Sequence, residues 1–323
     1  MVSQEKNGFY EGKNVLVAGG TGLIGIQLVD LLIKRGANVR IASLDDPSRA
    51  HSKAEFHESD LTYKDNCMME CRGMDYVFNL LCKKGSPKVM QENPYSIMTP
   101  MLMFNTNLLD AVKRIGVERY LFSSTVGVYN PSELSHEDEV WETFPSRNDW
   151  FAGWAKRIGE LQVEAAMKEF DWNGASIVRP ANTYGPYDNF DGEGAIIPSN
   201  IKRAFELKEG EPFVAWGDGS PIRDFAYSED IARGMLLAME KGVDVPVNLG
   251  SGKGYSIKEA VQEIVGNMEN PPEVKWDTSQ PGGDNRRLMD SSRAKDLLGW
   301  EPQVSLEEGI RRTMDWYKEN RGQ

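Results

Sequence analysis

Asn14-Val15-Leu16-Val17-Ala18 runs straight into Gly19-Gly20-Thr21-Gly22-Leu23-Ile24-Gly25, and the reading of this stretch decides the fold. Val15–Ala18 is an unbroken apolar run of strand length, and Leu23–Arg35 carries apolar residues on nearly every helical turn until Gly36 stops it. The glycines between them have separate duties. Gly19 permits the tight turn, Gly22 lets a pyrophosphate approach the backbone, and Gly25 lets the helix pack closely on the sheet. The phosphates would lie on exposed N–H groups at the positive end of the helix dipole. A glycine-rich turn can also be ligand-free; its place between a buried strand and a helix favours the binding reading.

Working outward, Asn38–Ser43, Asp75–Leu81, Tyr120–Ser123 and Ala175–Val178 read as further strands, with long helices at Met98–Ile115 and Trp154–Phe170. The alternation predicts parallel βαβ units, an α/β fold with a Rossmann-type doubly wound parallel sheet. After Pro180 the texture changes to Gly-, Pro- and Asp-rich loops with short elements, and helix starts are readable at Ser256, Ser292 and Ser305, the last with Glu308 completing a capping box. Residues 1–182 are therefore assigned to a dinucleotide-binding domain, to which elements around 225–250 (Glu229–Lys241, Val245–Leu249) return. Residues 183–224 and 251–323 are assigned to a smaller, mixed α/β C-terminal substrate lobe.

Composition narrows the partners. The 323 residues are 40% hydrophobic and 27% charged, with 37 Lys+Arg against 49 Asp+Glu for a net charge of −12. That sign disfavours nucleic acid and anionic membranes. Three cysteines (Cys67, Cys71, Cys82) cannot close a disulfide framework, no apolar run approaches the roughly 18 residues of a membrane span, and Met1–Lys13 is polar, without a signal peptide's apolar stretch. A soluble cytoplasmic protein is expected. Cys67 and Cys71 lie a helical turn apart without a third ligand nearby, and His51, His57 and His136 are scattered, so no metal site is expected.

Several motifs in order carry a resemblance: the GxxGxxG spacing, Asp60-Leu61, Asp75-Tyr-Val-Phe-Asn-Leu80, Ser123-Ser124-Thr125, Arg179-Pro-Ala-Asn182 with Tyr184-Gly-Pro186, Gly217-Asp-Gly-Ser-Pro-Ile-Arg223-Asp-Phe225, and the tail Ser291–Pro302. The chain resembles the extended short-chain dehydrogenase/reductase superfamily and, within it, the nucleotide-sugar epimerase/dehydratase family, over residues 14–318. The resemblance implies that Gly19, Gly22, Leu23, Ile24 and Gly25 hold the coenzyme's pyrophosphate and that Asp60 and Leu61 lie near its adenine. Leu80, Leu81, Cys82, Lys84 and Ser123 would line it. At the end of the second strand, NAD-preferring members carry an acid, and the matching position is Ser43. Arg49 could meet a 2′-phosphate, but Asp45 and Asp46 would repel one, so NAD is expected, with NADP as the alternative.

Hydride transfer from a sugar carbon needs a group that takes the hydroxyl proton. The family uses a tyrosine four residues before a lysine, whose charge lowers the phenol's pKa, and a Ser or Thr hydroxyl beside them. Lys156 and Thr125 match, and Lys156 would also bind the nicotinamide ribose. The tyrosine position, however, holds Ala152. Three readings are open: a tyrosine replaced by design to trap substrate; a natural loss, with Tyr184, Tyr187, Cys82 or Thr125 plus water standing in; or a protein that binds without turnover.

The reaction is read by exclusion. Val126-Gly127 follow Thr125, where a 4,6-dehydratase needs an Asp-Glu pair, and the acid of the decarboxylases is likewise absent. Tyr184–Phe190 is similar to the loop of GDP-fucose synthases, but their ring-epimerising Cys and His are not visible. Chemistry at a single carbon is left, most simply C4: an NAD-recycling 4-epimerase, alternatively a 4-keto-sugar reductase, alternatively a non-catalytic dinucleotide-binding sensor. A nucleotide-diphosphate sugar would be anchored by Arg223, Arg286 and Arg287, whose planar forks suit phosphate, with Asn182 and Ile197 alongside. The resemblance also implies a homodimer, the helices around Leu102–Ile115 and Trp154–Phe170 pairing into a four-helix bundle.

Overall fold

The computed structural model describes residues 8–83, 87–191, 195–279 and 283–320; Lys84 lies outside them. The first part of the chain forms β1 (Asn14–Ala18), α1 (Leu23–Lys34), β2 (Asn38–Ser43), β3 (Glu55–Glu58), α2 (Lys64–Cys71), β4 (Tyr76–Asn79), α3 (Pro87–Glu92), α4 (Pro94–Ile115), β5 (Arg119–Ser123), α5 (Trp150–Phe170) and β6 (Ala175–Pro180). Then come β7 (Asn182–Tyr184), α6 (Ile196–Glu206), β8 (Phe213–Trp216), β9 (Ile222–Tyr227), α7 (Ser228–Lys241) and β10 (Val247–Leu249). β11 (Gly254–Ser256), α8 (Ile257–Gly266), β12 (Val274–Asp277), β13 (Arg286–Arg287), α9 (Ser292–Leu298) and α10 (Leu306–Asn320) complete the described chain.

Seven strands in the order β10-β6-β5-β4-β1-β2-β3 make a parallel sheet. Successive residues of β1 serve opposite faces, so Val15 and Val17 join Leu28, Val29 and Leu32 of α1 and Met235 of α7 in one core, while Leu16 and Ala18 join Leu108 of α4 and Val163 of α5 in the other. Both faces are covered, which is why β1 reads as a continuous apolar run rather than an alternating one. The expected doubly wound sheet is present. Strand order reverses at β1: the chain winds to β2 and β3 on one side and to β4, β5 and β6 on the other. The loops leaving β1 and β4 therefore diverge and open a crevice at their carboxyl ends.

Two helices start earlier than the sequence suggests. α4 begins at Pro94 rather than Met98 and runs through Pro100, its buried face (Ile97, Met101, Phe104, Leu108) outweighing the one lost backbone bond. α5 begins at Trp150 rather than Trp154, which puts Ala152 inside its first turn. β3, with the sequence Glu-Phe-His-Glu, is a four-residue edge strand too polar and short to be read. β7, β9, β11 and β13 form a second, mixed sheet, and β8 pairs with β12. These pack with α6, α8 and α10 around Phe213, Ile201, Ile264 and Ile310.

Candidate active site

The turn after β1 is dictated by its glycines. Gly19 has φ +82°, and a Cβ on Gly25 would lie 2.3 Å from the Gly19 carbonyl oxygen. A Cβ on Gly22 would meet nothing but that same oxygen, at 3.5 Å, so the space there is open. Gly22 begins α1 without a side-chain cap, leaving the first-turn amides of Leu23 and Ile24 without an intrahelical acceptor. Leu80 leaves β4 with its carbonyl 3.4 Å from the Cβ position of Gly19, so the two turns of the crevice face each other. This is a cradle that backbone alone can offer to paired phosphates.

Around it, Ser43 at the end of β2 is buried, with its hydroxyl 2.7 Å from Thr21 Oγ1. Thr21 in turn donates to Asp45 Oδ2 at 2.6 Å. Asp45, two residues after Ser43, thus brings a carboxylate to the end of β2. Arg49 donates from Nε to the Thr21 carbonyl at 3.3 Å and from Nη2 to the Tyr187 carbonyl at 2.9 Å, so its fork is turned to backbone oxygens. Asp60 accepts from the backbone and hydroxyl of Thr62, Leu61 is buried in the α4 side of the core, and Cys82 is exposed.

Lys156 is 2% exposed, and its Nζ donates to the carbonyls of Leu81 at 2.9 Å and Ser123 at 2.7 Å, tying α5 to the ends of β4 and β5. Thr125 Oγ1 accepts from Gly127 N at 3.2 Å. Ala152 is 8% exposed and Phe151 points outward, so neither offers a proton. The proposed stand-ins fare no better. Tyr184 is buried in the small-lobe core with its hydroxyl donating to the Leu306 carbonyl, and burial drives its phenol far above the ordinary range. Tyr187 packs against Trp316 of α10, ring centroids 4.8 Å apart.

The arginines divide. Arg286 donates to the Glu133 carbonyl at 2.7 Å and pairs with its carboxylate. Arg287 pairs with Asp149 at 2.5 Å and doubly with Asp284. Asp284 also accepts from Ser146 and Asn148, each at 2.7 Å. Burial opposes the charge on Arg287, but these two carboxylates more than offset it and hold its pKa above the ordinary value. Both guanidinium forks thus have acidic partners in this structure. Arg223 differs. It is buried, bonds its own Ile222 carbonyl at 2.8 Å, and is pushed down to about 10 by burial and then by Arg287. A buried cation beside another cation gains most from an arriving anion. Asn182 donates to the Asp224 carbonyl, and Ile197 packs into the small-lobe core.

Asp224 itself is buried beneath this cluster, where desolvation pushes its carboxyl up to about 6 despite hydrogen bonds from Ser251. A raised acid binds its proton more tightly when folded, so its contribution to stability is greatest below the unfolded pKa of about 3.9 and falls as pH rises toward 6. The stability difference between the native chain and Asp224→Asn, from urea unfolding, should shift against the native chain by roughly 2–3 kcal/mol between pH 4 and 7. A difference independent of pH would contradict it.

Behind the site lies a fully buried pair that sequence reading missed. Arg179 on β6 pairs with Glu160 on α5 at 2.7 Å and donates to the Tyr129 hydroxyl and the Glu137 carbonyl. The Tyr129 hydroxyl in turn donates to Asn248 Oδ1 at 2.7 Å. The network fixes the turn that carries Thr125.

Residues 15–250 match the NAD dependent epimerase/dehydratase family. A probable GDP-L-fucose synthase 1 of Oryza sativa subsp. japonica is 32% identical, over 96% of this chain and 93% of its own length. A dTDP-4-dehydro-6-deoxy-D-allose reductase of Streptomyces sp is 28% identical, over 96% and 97%. The crystal structure of UDP-glucose 4-epimerase from Thermotoga maritima with UDP-glucose superposes with a TM-score of 0.83 at 29% identity, covering 95% of this chain and 99% of that one.

Proposed function

This chain belongs to the NAD dependent epimerase/dehydratase family, and from that premise we propose that it is a nucleotide-sugar oxidoreductase acting at one sugar carbon, C4, with NAD recycled in an epimerase cycle. The observation that carries the reading is the convergence of the open glycine turn, Lys156 and Thr125 on the crevice between β1 and β4. A nicotinamide dinucleotide, when bound, supplies the two-electron exchange. The chain's own residues do the rest. Leu23 and Ile24 offer amides to its phosphates, the open space at Gly22 lets the phosphates approach, Lys156 is placed for ribose hydroxyls, and Thr125 presents a hydroxyl to the sugar oxygen. Arg223 is the cation available to the substrate diphosphate.

The Ser43–Thr21–Asp45 chain supports NAD over NADP. A carboxylate at the end of β2 accepts from a ribose hydroxyl but repels a 2′-phosphate, and Arg49 is occupied by two carbonyls. A one-way 4-keto-sugar reductase is the second reading, favoured by the reductase among the relatives. We place the protein in the cytoplasm, consistent with three free cysteines, and assign dimerisation to the faces of α4 and α5, where Met103, Leu161 and Phe170 are exposed. No helix among the described residues is long and apolar enough to cross a membrane.

The test is incubation with UDP-, GDP- and dTDP-hexoses and with their 4-keto forms. The expected result is interconversion of C4 epimers with catalytic NAD and a rise in Tm with NAD larger than with NADP. Stoichiometric consumption of reduced coenzyme on a 4-keto sugar would instead establish the reductase. No turnover with any of them, despite coenzyme binding, would favour the sensor.

A further inference from the structure

The position one turn before Lys156 holds the methyl group of Ala152, and a carboxylate, Asp149, stands one turn before that. Asp149 immediately precedes α5, and Asp149, Ala152 and Lys156 stand at i, i+3 and i+7, the spacing of one helical face. Its carboxylate reaches the turn after β5: a Cβ on Gly127 would meet Asp149 Cγ at 3.2 Å and Oδ2 at 3.4 Å. Gly127 N is the group that donates to Thr125 Oγ1. The hydroxyl and the carboxylate thus flank one residue, and that residue has no side chain to separate them.

We propose that Asp149 is the proton-transferring residue of this chain, taking over the work of the family's missing tyrosine near Thr125, with Lys156 two turns further along α5. The proposal rests on the oxidoreductase reading above. In the forward step the sugar O–H bond would break toward the Asp149 carboxylate, and a bound oxidised dinucleotide would supply the acceptor for the carbon's hydrogen and its electron pair. The C–O single bond becomes C=O, and Asp149 becomes a neutral acid. In the return step that acid gives its proton back to the oxygen as the carbon is reduced.

The charges around Asp149 are arranged to couple this step to substrate. Arg287 Nη2 lies 2.5 Å from Oδ2 in an ion pair without hydrogen-bond alignment, and Arg287 is shared with Asp284, which takes both its Nε and its Nη2. Arg223 is the second cation acting on Asp149. These four groups sum to zero. A diphosphate settling on Arg223 would offset part of the positive charge that faces Asp149, which couples this carboxylate to substrate binding.

The test uses the whole chain and starts from Asp149→Asn, which keeps size and hydrogen bonding but cannot carry the proton. Turnover should fall by about 10²–10⁴. Dissociation constants for NAD and for UDP or GDP, from calorimetry, should stay within about threefold, and Tm within a few degrees. Adding Ala152→Tyr to Asp149→Asn should restore turnover, because the phenol and the carboxylate would do the same work. Turnover within about threefold of the native chain in Asp149→Asn would overturn the assignment. So would loss of turnover together with coenzyme and diphosphate binding, or failure of Ala152→Tyr to restore it. A native chain that binds NAD but turns over no nucleotide sugar would instead overturn the enzymatic reading on which the assignment rests.

Discussion

Replacing Gly25 by alanine is expected to abolish coenzyme binding, with a fall in NAD affinity of at least a hundredfold. The added methyl carbon would sit 2.3 Å from the Gly19 carbonyl oxygen and 2.8 Å from the Gly20 backbone, distances no real Cβ tolerates. These obstacles are all main chain, so no side-chain rotation relieves them. Either α1 lifts from the sheet or the turn opens, and both move the first-turn amides that would meet the phosphates. Packing strain of this kind costs about 1–3 kcal/mol or more, so a lower Tm should accompany the lost affinity. The control is Gly22→Ala, whose Cβ meets no atom closer than 3.5 Å. It should fold as the native chain does and lose affinity only through crowding of the ligand. Calorimetric titration with NAD, alongside thermal melts, separates the two. Native affinity in Gly25→Ala would contradict the turn geometry on which the coenzyme site depends.

The second large effect is on folding. Glu160→Ala should destabilise the chain by about 3–5 kcal/mol, because it strands the Arg179 guanidinium, fully buried, without its counter-charge. The damage spreads beyond one pair, since Arg179 also holds Tyr129 and the Glu137 carbonyl, and Tyr129 holds Asn248 at the far edge of the sheet. Activity should suffer as well in any fraction that folds, through loosening of the turn at Thr125. Glu160→Gln keeps the shape and one acceptor oxygen and should recover part of the loss. Urea unfolding of the three proteins at pH 7 measures both steps, and equal stability of Glu160→Ala and the native chain would show that the network contributes nothing.

What could be read from sequence was local. The strand, glycine turn and helix at 14–35 follow from contiguous residues whose roles depend on one another over a single turn, and the parallel sheet follows from repetition of that unit. What escaped was settled between distant parts of the chain. Arg287 fits the phosphate motif by its neighbours in sequence; that it meets Asp149, far away along the chain, as well as nearby Asp284 appears only in the fold. Glu160 and Arg179 each resemble a surface charge until β6 and α5 are packed together. The helix expected from Trp154 starts at Trp150, so the one-face spacing of Asp149, Ala152 and Lys156 emerges only with the structure. Edge strand β3 was illegible for a different reason, being half charged and exposed on one side.

Arg49 joins the glycine turn to the loop before α6, donating to the Thr21 carbonyl on one side and, on the other, to a carbonyl of Tyr187 whose φ of +68° no tyrosine adopts without cost. On the coenzyme reading proposed above, a dinucleotide resting on the glycine turn would be bracketed by this hasp and would stay in residence over many cycles, like a prosthetic group, rather than exchange with the surrounding pool at every turnover.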